Sequence, residues 1–262
     1  MALIGFGEAG ETFASAAGWE ADSAGVYDLL PERLDHAREL GLGTGDAGDV
    51  LARARLVLCL VTADQVLAAA AHCAPFLVPG TVWCDGNSVA PETKRAAAHV
   101  IEAAGGIYVD VAILAPVNPA RLNVPLLLAG GAAGRAQTLL AAAGFTNIRV
   151  VGEEIGRASA IKMIRSVMVK GVEALTAEMM LGAQAAGVVE EVLASLDASE
   201  KPRPWADKAA YNIERMVTHG ARRAAEMEES AKTLADLGIE PLMTRGTVAR
   251  QRDMAGRKDR LL

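Results

Sequence analysis

The sequence predicts an α/β domain with a mostly parallel sheet over residues 1–151, followed by an all-α domain over residues 152–262. Three observations predict it. Short apolar runs alternate with helical patterns as far as Val151, a glycine-rich turn joins the first run to the first helix, and no further strand pattern follows Gly156. A length of 262 residues suits two cores rather than one. With 52% apolar, 22% charged and 4% aromatic residues and abundant alanine, the composition suits closely packed helices and excludes a disordered chain.

Taken in order, Met1-Ala2-Leu3-Ile4 is the first strand and runs directly into Gly5-Phe6-Gly7-Glu8-Ala9-Gly10, then into a helix containing Thr12, Phe13 and Ala14. Four residues fall below the usual strand length of about five or six, so either the native start lies upstream of Met1 or the strand is short. Gly25-Val26-Tyr27-Asp28 is a second short strand, Glu32 to Leu40 a helix, and Gly41 to Gly48 a flexible link. Arg55 to Val61 is a continuous apolar run, the pattern of a strand buried on both faces of a parallel sheet. Thr62-Ala63-Asp64 stands at its C-terminal end, where open α/β sheets bind ligands. A helix from Gln65 to Ala74 leads to the strand Thr81 to Asp85, and Pro91 starts the next helix. Gly106 to Asp110 and Pro125 to Ala129 are further strands, with an unusually apolar loop, Val111 to Pro116, between them. Phe145 to Val151 is an edge strand.

The rest reads as long helices broken near Asp197 to Pro204 and near Gly238 to Pro241. Ile161, Ile164, Met168, Val172, Leu175 and Met179 keep helical spacing and are expected in the core, with Lys162, Arg165, Ser166 and Glu173 on a neighbouring polar stripe. Ile213, Met216, Val217, Gly220, Ala224 and Met227 form the apolar face of a later helix, beside His219, Arg222, Arg223 and Glu226.

A formal net charge of -6 leaves no basic excess to replace phosphate counterions and argues against nucleic acid as a partner. Arg245, Arg250, Arg252, Arg257, Lys258 and Arg260 gather near the C-terminus and read as a solvated helix face. Cys59, Cys73 and Cys84 are scattered, lack metal-ligand spacing, and suit buried positions in a reducing compartment. No stretch has the pattern of a membrane span or a secretory leader, so a cytoplasmic protein without a membrane partner or bound metal is expected.

The chemistry begins at the glycines. In a strand–turn–helix context Gly5 makes the tight turn, Gly7 lets backbone approach a pyrophosphate, and Gly10 packs the helix on its strand, while Phe6, Glu8 and Ala9 complete the turn. The helix N-terminus then offers N–H groups to phosphate. Asp28 lies near the distance at which a carboxylate accepts hydrogen bonds from an adenine ribose, which favours NAD over NADP. Arg33 is close enough to reach a 2′-phosphate, and capping of the helix at Pro31 is an equally consistent use of Asp28. Val61 and Thr62 close the strand-end crevice. Asn87 and Ser88 sit at another strand end, where turn formation competes with catalysis as their role.

Together, the N-terminal fingerprint, the loop Asp85-Gly86-Asn87-Ser88-Val89-Ala90-Pro91 and the helix start from Gly156 to Lys162 resemble β-hydroxyacid dehydrogenases, the relatives of 3-hydroxyisobutyrate and 6-phosphogluconate dehydrogenases. The resemblance spans nearly the whole chain. Its C-terminal part is similar to a phosphogluconate-dehydrogenase-like branch with a distinct helical domain. It implies hydride transfer between NAD or NADP and a carbinol carbon of a small β-hydroxy acid or related alcohol. It makes Lys162 the acid/base, and a partly apolar cleft beside Arg165 is expected to lower the pKa of that lysine. It also implies a homodimer formed through the helical domain.

His219 falls where the family has a second lysine and is either a proton relay or a satisfied histidine at a helix interface. Two departures stand out. Arg165 and Ser166 replace the usual pair of asparagines, and Asp110 is followed by Val111, Ala112 and Ile113 rather than by a serine-glycine-glycine carboxylate site. Asp110, Ile113, Arg165 and Ser166 are therefore the candidate substrate contacts, with Arg165 a candidate carboxylate clamp. An imine reductase and a non-catalytic dinucleotide sensor are the competing readings, the first weakened by Lys162 because that lysine is usually replaced there.

Overall fold

The computed structural model describes residues 1–199 and 202–257; Lys258, Arg260 and the side chain of Glu226 lie outside the described set. The chain divides into two compact units, Met1–Ser166 and the residues from Val167 onward.

The first unit is built on one eight-stranded sheet. Its strands are β1 (Ala2–Ile4), β2 (Gly25–Tyr27), β3 (Gly43–Thr44), β4 (Leu56–Cys59), β5 (Val82–Asp85), β6 (Ile107–Ile113), β7 (Leu126–Ala129) and β8 (Ile148–Gly152). They lie in the order β3-β2-β1-β4-β5-β6-β7-β8. Neighbours are parallel except β6 and β7, which run antiparallel with Asp110 opposite Ala129 and Ile113 opposite Leu126. The order turns back between β1 and β4, which opens the crevice where such sheets bind ligands.

The apolar runs are continuous because both sheet faces are covered. Leu3, Leu58 and Cys84 join one core cluster with Phe13 and Leu140. Their neighbours Ile4, Cys59 and Trp83 join another with Val66, Ala97 and Ile101. Helices α1 (Glu8–Ala17), α2 (Pro31–Glu39), α3 (Ala47–Leu51), α4 (Val66–Cys73), α5 (Pro91–Ala103) and α6 (Ala133–Ala142) connect the strands. Each fully buried Leu, Ile or Val contributes about 1.5–3 kcal/mol relative to exposure.

Two expectations fail here. The segment 41–48 is not a free link: Gly43 and Thr44 pair with Gly25 and Val26, and Asp46 caps α3 by accepting from Asp49 N at 2.9 Å. A strand of two residues carries no periodicity to read. The apolar loop after Asp110 is strand as far as Ile113, because Val111, Ala112 and Ile113 pair with β7 and are buried.

Beyond the sheet come α7 (Arg157–Ala186), α8 (Val189–Ser199), α9 (Trp205–Asp236) and α10 (Leu242–Met254). A turn at Gly187, with φ +71°, separates α7 from α8, a break the sequence pattern did not announce. In the helical unit α9 and α10 pack so closely that a Cβ on Gly220 would lie 2.3 Å from the Gln251 carbonyl oxygen. Glu178 of α7 accepts from Met243 N (2.7 Å), Thr244 N (2.8 Å) and Thr244 Oγ1 (2.6 Å), capping α10. Burial opposes ionisation of Glu178. The hydroxyl and backbone donors outweigh it and hold the carboxyl below its ordinary range.

Ile161 at the start of the α7 stripe packs on the cluster of Ala112, Leu127, Ala129 and Ala158, and Met179 is half-buried, but the middle of the stripe is not core. Ile164 is 73% exposed, and Met168, Val172 and Leu175 are also exposed. Periodicity identifies an apolar face without saying what covers it. Arg245, Arg250, Arg252 and Arg257 are all exposed or nearly so and are paired with Glu240, Asp253, Glu228 and Asp253 respectively, as a solvated face would be. No helix among the described residues is long and apolar enough to cross a membrane.

Candidate functional site

The glycine turn gives each of its glycines a different physical reason. Gly5 has φ +89°, and a Cβ there would lie 2.6 Å from the Leu60 carbonyl oxygen. A Cβ on Gly10 would lie 3.0 Å from the Gly5 carbonyl oxygen, so α1 can approach its strand only without a side chain. Gly7 is the N-cap of α1, bears no capping side chain, and would place a Cβ in open space. The result is a helix N-terminus with open space and no side chain at Gly7, the arrangement that fits a diphosphate. Phe6 turns inward and is fully buried.

Beside this turn lies a cavity of about 620 Å³ lined by Gly5, Gly7, Tyr27, Asp28, Val61 and Thr62, with Arg33 and His72 also on its wall. Asp28 Oδ2 accepts from Phe6 N at 2.7 Å and Oδ1 from Leu30 N at 2.9 Å. The carboxylate therefore fixes the glycine turn to the end of β2, and each oxygen keeps lone-pair capacity toward the cavity. Tyr27 stacks on His72 with ring centroids 5.4 Å apart and 18° between planes, and their polar atoms are 3.0 Å apart. Such a flat pair suits a purine-sized ligand.

A second cavity, of about 330 Å³, opens between the glycine helix and the β5 end. Glu8, Asn87, Ser88 and Lys162 are its polar walls, and Leu60, Val61, Ile113, Pro116 and Val117 are among its apolar ones. Lys162 Nζ, on the second turn of α7, donates to Ser88 Oγ. Asn87 is buried, with Nδ2 donating to Asp85 Oδ1 at 2.7 Å, while its Oδ1 is a buried acceptor with no bonding partner.

The loop bearing Asn87 and Ser88 stands on a buried charge network. Lys94 is 0% exposed, and its Nζ lies 2.6 Å from the Asp85 carbonyl oxygen, 2.9 Å from Asp85 Oδ1 and 3.6 Å from Asp110 Oδ1. Tyr108 donates to Asp85 Oδ2 at 2.6 Å; burial, reinforced by that carboxylate, pushes its phenol far up and keeps it a donor. Asp110 Oδ2 accepts from Ser159 N at 2.9 Å, Gly156 N at 3.2 Å and Ser159 Oγ at 3.2 Å, which caps the helix that carries Lys162. Burial pushes the thiols of Cys73 and Cys84 up to about 12 and that of Cys59 higher still, so none is a ready nucleophile.

Lys162, Asn87, Ser88 and Ile113 thus meet at one cavity with Glu8, Ala9 and Val61, while Gly5, Gly7, Asp28 and Thr62 meet at the other. Asp110 reaches neither and holds the α7 N-terminus. Arg165 Nη1 donates to the Leu114 carbonyl oxygen at 3.2 Å and is not on the cavity wall. Ser166 ends the sheet unit, and His219 lies exposed on α9 of the helical unit. Sequence reasoning missed Lys94, Tyr108 and Ser159. For Lys94 a signal existed: it shares helical spacing with Ala97, Ala98 and Ile101 on the buried face of α5.

Residues 1–152 match the family model described as the NAD binding domain of 6-phosphogluconate dehydrogenase, and residues 183–254 match a domain of unknown function, DUF1932. Among solved structures, a conserved hypothetical protein from Sinorhizobium meliloti is 39% identical, covering 100% of this chain and 90% of its own, with a TM-score of 0.64. A conserved protein of unknown function, reported as structurally similar to 3-hydroxyacid dehydrogenases, is 32% identical, covering 97% and 95%, with a TM-score of 0.62. An imine reductase from Myxococcus stipitatus in complex with NADP+ is 17% identical and covers 96% and 92% with a TM-score of 0.77, a likeness of fold.

Proposed function

The chain belongs to the family defined by the NAD binding domain of 6-phosphogluconate dehydrogenase, and on that premise we propose that it is an NAD(P)-dependent oxidoreductase whose acid/base is Lys162. The reading takes the substrate to be a carbinol carbon of a β-hydroxy acid or a related alcohol, or the corresponding carbonyl. The bound nicotinamide supplies a hydride acceptor or donor. Gly5, Gly7 and the α1 N-terminus would hold its diphosphate, and Asp28, Val61 and Thr62 its adenosine half. Asp28 favours NAD, since its carboxylate repels a 2′-phosphate, with Arg33 as the opposing charge.

The observation that carries the reading is the Lys162–Ser88 hydrogen bond on the wall of a cavity that also includes Glu8 and Ala9 of the glycine turn. Lys162 moves the proton to or from the substrate oxygen. Ser88 orients the ammonium, and the apolar wall of Leu60, Val61 and Ile113 excludes water. Asn87 positions Ser88 through its bond to Asp85.

The test is Lys162→Ala. Turnover falls about 10²–10⁴-fold, while NAD(H) affinity, read by protein-to-nicotinamide energy transfer, stays within a factor of two or so of the parent. Unchanged turnover would falsify the assignment. An imine reductase is the second reading, favoured by the fold shared with the Myxococcus enzyme. A panel of β-hydroxy acids, their semialdehydes and cyclic imines with both cofactors separates the two. The exposed apolar face of α7 supports pairing with a second copy of the chain, the buried thiols support a reducing compartment, and His219 is the further candidate for proton relay.

A further inference from the structure

The second cavity has a charge pattern that bears on what it admits. A substrate carboxylate brought out of water needs several donors, best supplied by a guanidinium fork or a run of unpaired backbone N–H groups. Here the Arg165 guanidinium, the amides of the strand after Asp110 and the Asn87 side-chain nitrogen are engaged elsewhere. The Arg165 guanidinium bonds the Leu114 carbonyl oxygen and is not on the wall. Val111, Ala112 and Ile113 are strand paired to Leu128, Leu127 and Leu126, and Leu114 N donates to the Pro125 carbonyl oxygen at 2.9 Å. The Asn87 amide donates to Asp85 at 2.7 Å. What the cavity does present is a carboxylate of its own, Glu8, placed in the first turn of α1 where the helix N-terminus favours its charge.

From this pattern, resting on the oxidoreductase reading above and narrowing it to the related alcohols at the expense of the β-hydroxy acids, we infer that the site takes an apolar carbonyl compound or alcohol with no carboxylate near the reacting carbon, and that Glu8 is the side chain that rejects the acids. Lys162 remains the single cationic side chain on the described wall, and it is committed to the proton. Leu60, Val61, Ile113, Pro116 and Val117 match the body of such a substrate. Glu8 is a specificity determinant in this scheme and makes no contribution to proton movement.

The experiment uses the full chain saturated with NADH or NADPH and three compounds that share a methyl ketone: acetoacetate, methyl acetoacetate and 2-pentanone. Two readouts run in parallel, kcat/KM from nicotinamide absorbance and ternary binding from quenching of nicotinamide fluorescence. The ester and the ketone are expected to exceed the acid at least about tenfold in both, the discrimination that one mismatched polar group yields. Glu8→Gln is expected to raise the acid-to-ester ratio about threefold or more, the effect of removing one solvated like charge.

Preference of the parent protein for the acid, or a ratio unmoved by Glu8→Gln, overturns the inference and leaves the Lys162 mechanism standing. Failure of the ester and ketone to bind also overturns it. Turnover that survives Lys162→Ala with unchanged acid discrimination overturns the mechanism instead.

Discussion

The two units of this chain use the same apolar periodicity for different ends. In the sheet unit every apolar run of β4, β5 and β7 is buried, because helices cover both faces. On α7 the middle of an equally regular stripe is exposed, with Ile164 at 73%. The first pattern is satisfied within the chain and the second is not. Hydrophobic spacing therefore reports which face seeks cover, and only topology tells whether the chain supplies it.

Substitutions separate the two cases, beginning with the largest effect. Lys94→Met would leave the Asp85 and Asp110 carboxylates buried without their cation, which costs about 3–5 kcal/mol, and denaturant melts should show it. Gly5→Ala forces a side chain into a positive-φ position against the Leu60 carbonyl, a loss of about 3 kcal/mol from strain and displacement, accompanied by loss of cofactor binding in titration calorimetry. In the helical unit, Gly220→Ala should cost about 1–3 kcal/mol by overpacking and leave cofactor affinity intact.

A smaller effect is tied to pH. Because the folded-state pKa of Glu178 is depressed, its contribution is present above the unfolded value of about 4.3 and disappears as pH falls through the folded value. Glu178→Gln should therefore melt earlier than the parent at pH 7, by about 2 kcal/mol, with the gap closing below pH 4 or so as the parent carboxylate takes up its proton. The smallest expected change in chain stability is at the exposed stripe. Met168→Glu should leave it within about 0.5 kcal/mol. If the stripe meets a second copy, light scattering will show a dimer for the parent and a monomer for the variant.

How far the sequence could be read follows the same division. The glycine turn and Asp28 are legible because their chemistry is local: three glycines at fixed spacing and one acid at a strand end. Lys162 and Ser88 stand 74 positions apart, and their meeting required the family resemblance rather than any pattern. From sequence Ile113 reads as loop, because an apolar run flanked by proline carries no sign of the antiparallel partner that extends β6. The family resemblance points to Asp110 and Arg165 as substrate contacts by their positions. The structure gives the first to the α7 N-terminus and the second to a carbonyl, since buried or tethered groups bond to whatever the fold brings near them.

Asp28 carries two duties at once. One carboxylate oxygen holds Phe6 N, and through it the turn that would cradle the diphosphate, while the same group faces the cavity proposed for the ribose. If Asp28 meets the ribose as proposed, cofactor choice and loop integrity are inherited as a single trait. A lineage, or a designer, seeking to admit a 2′-phosphate gains more by adding positive charge around Arg33 than by exchanging Asp28, because every replacement there loosens the turn that both cofactors need.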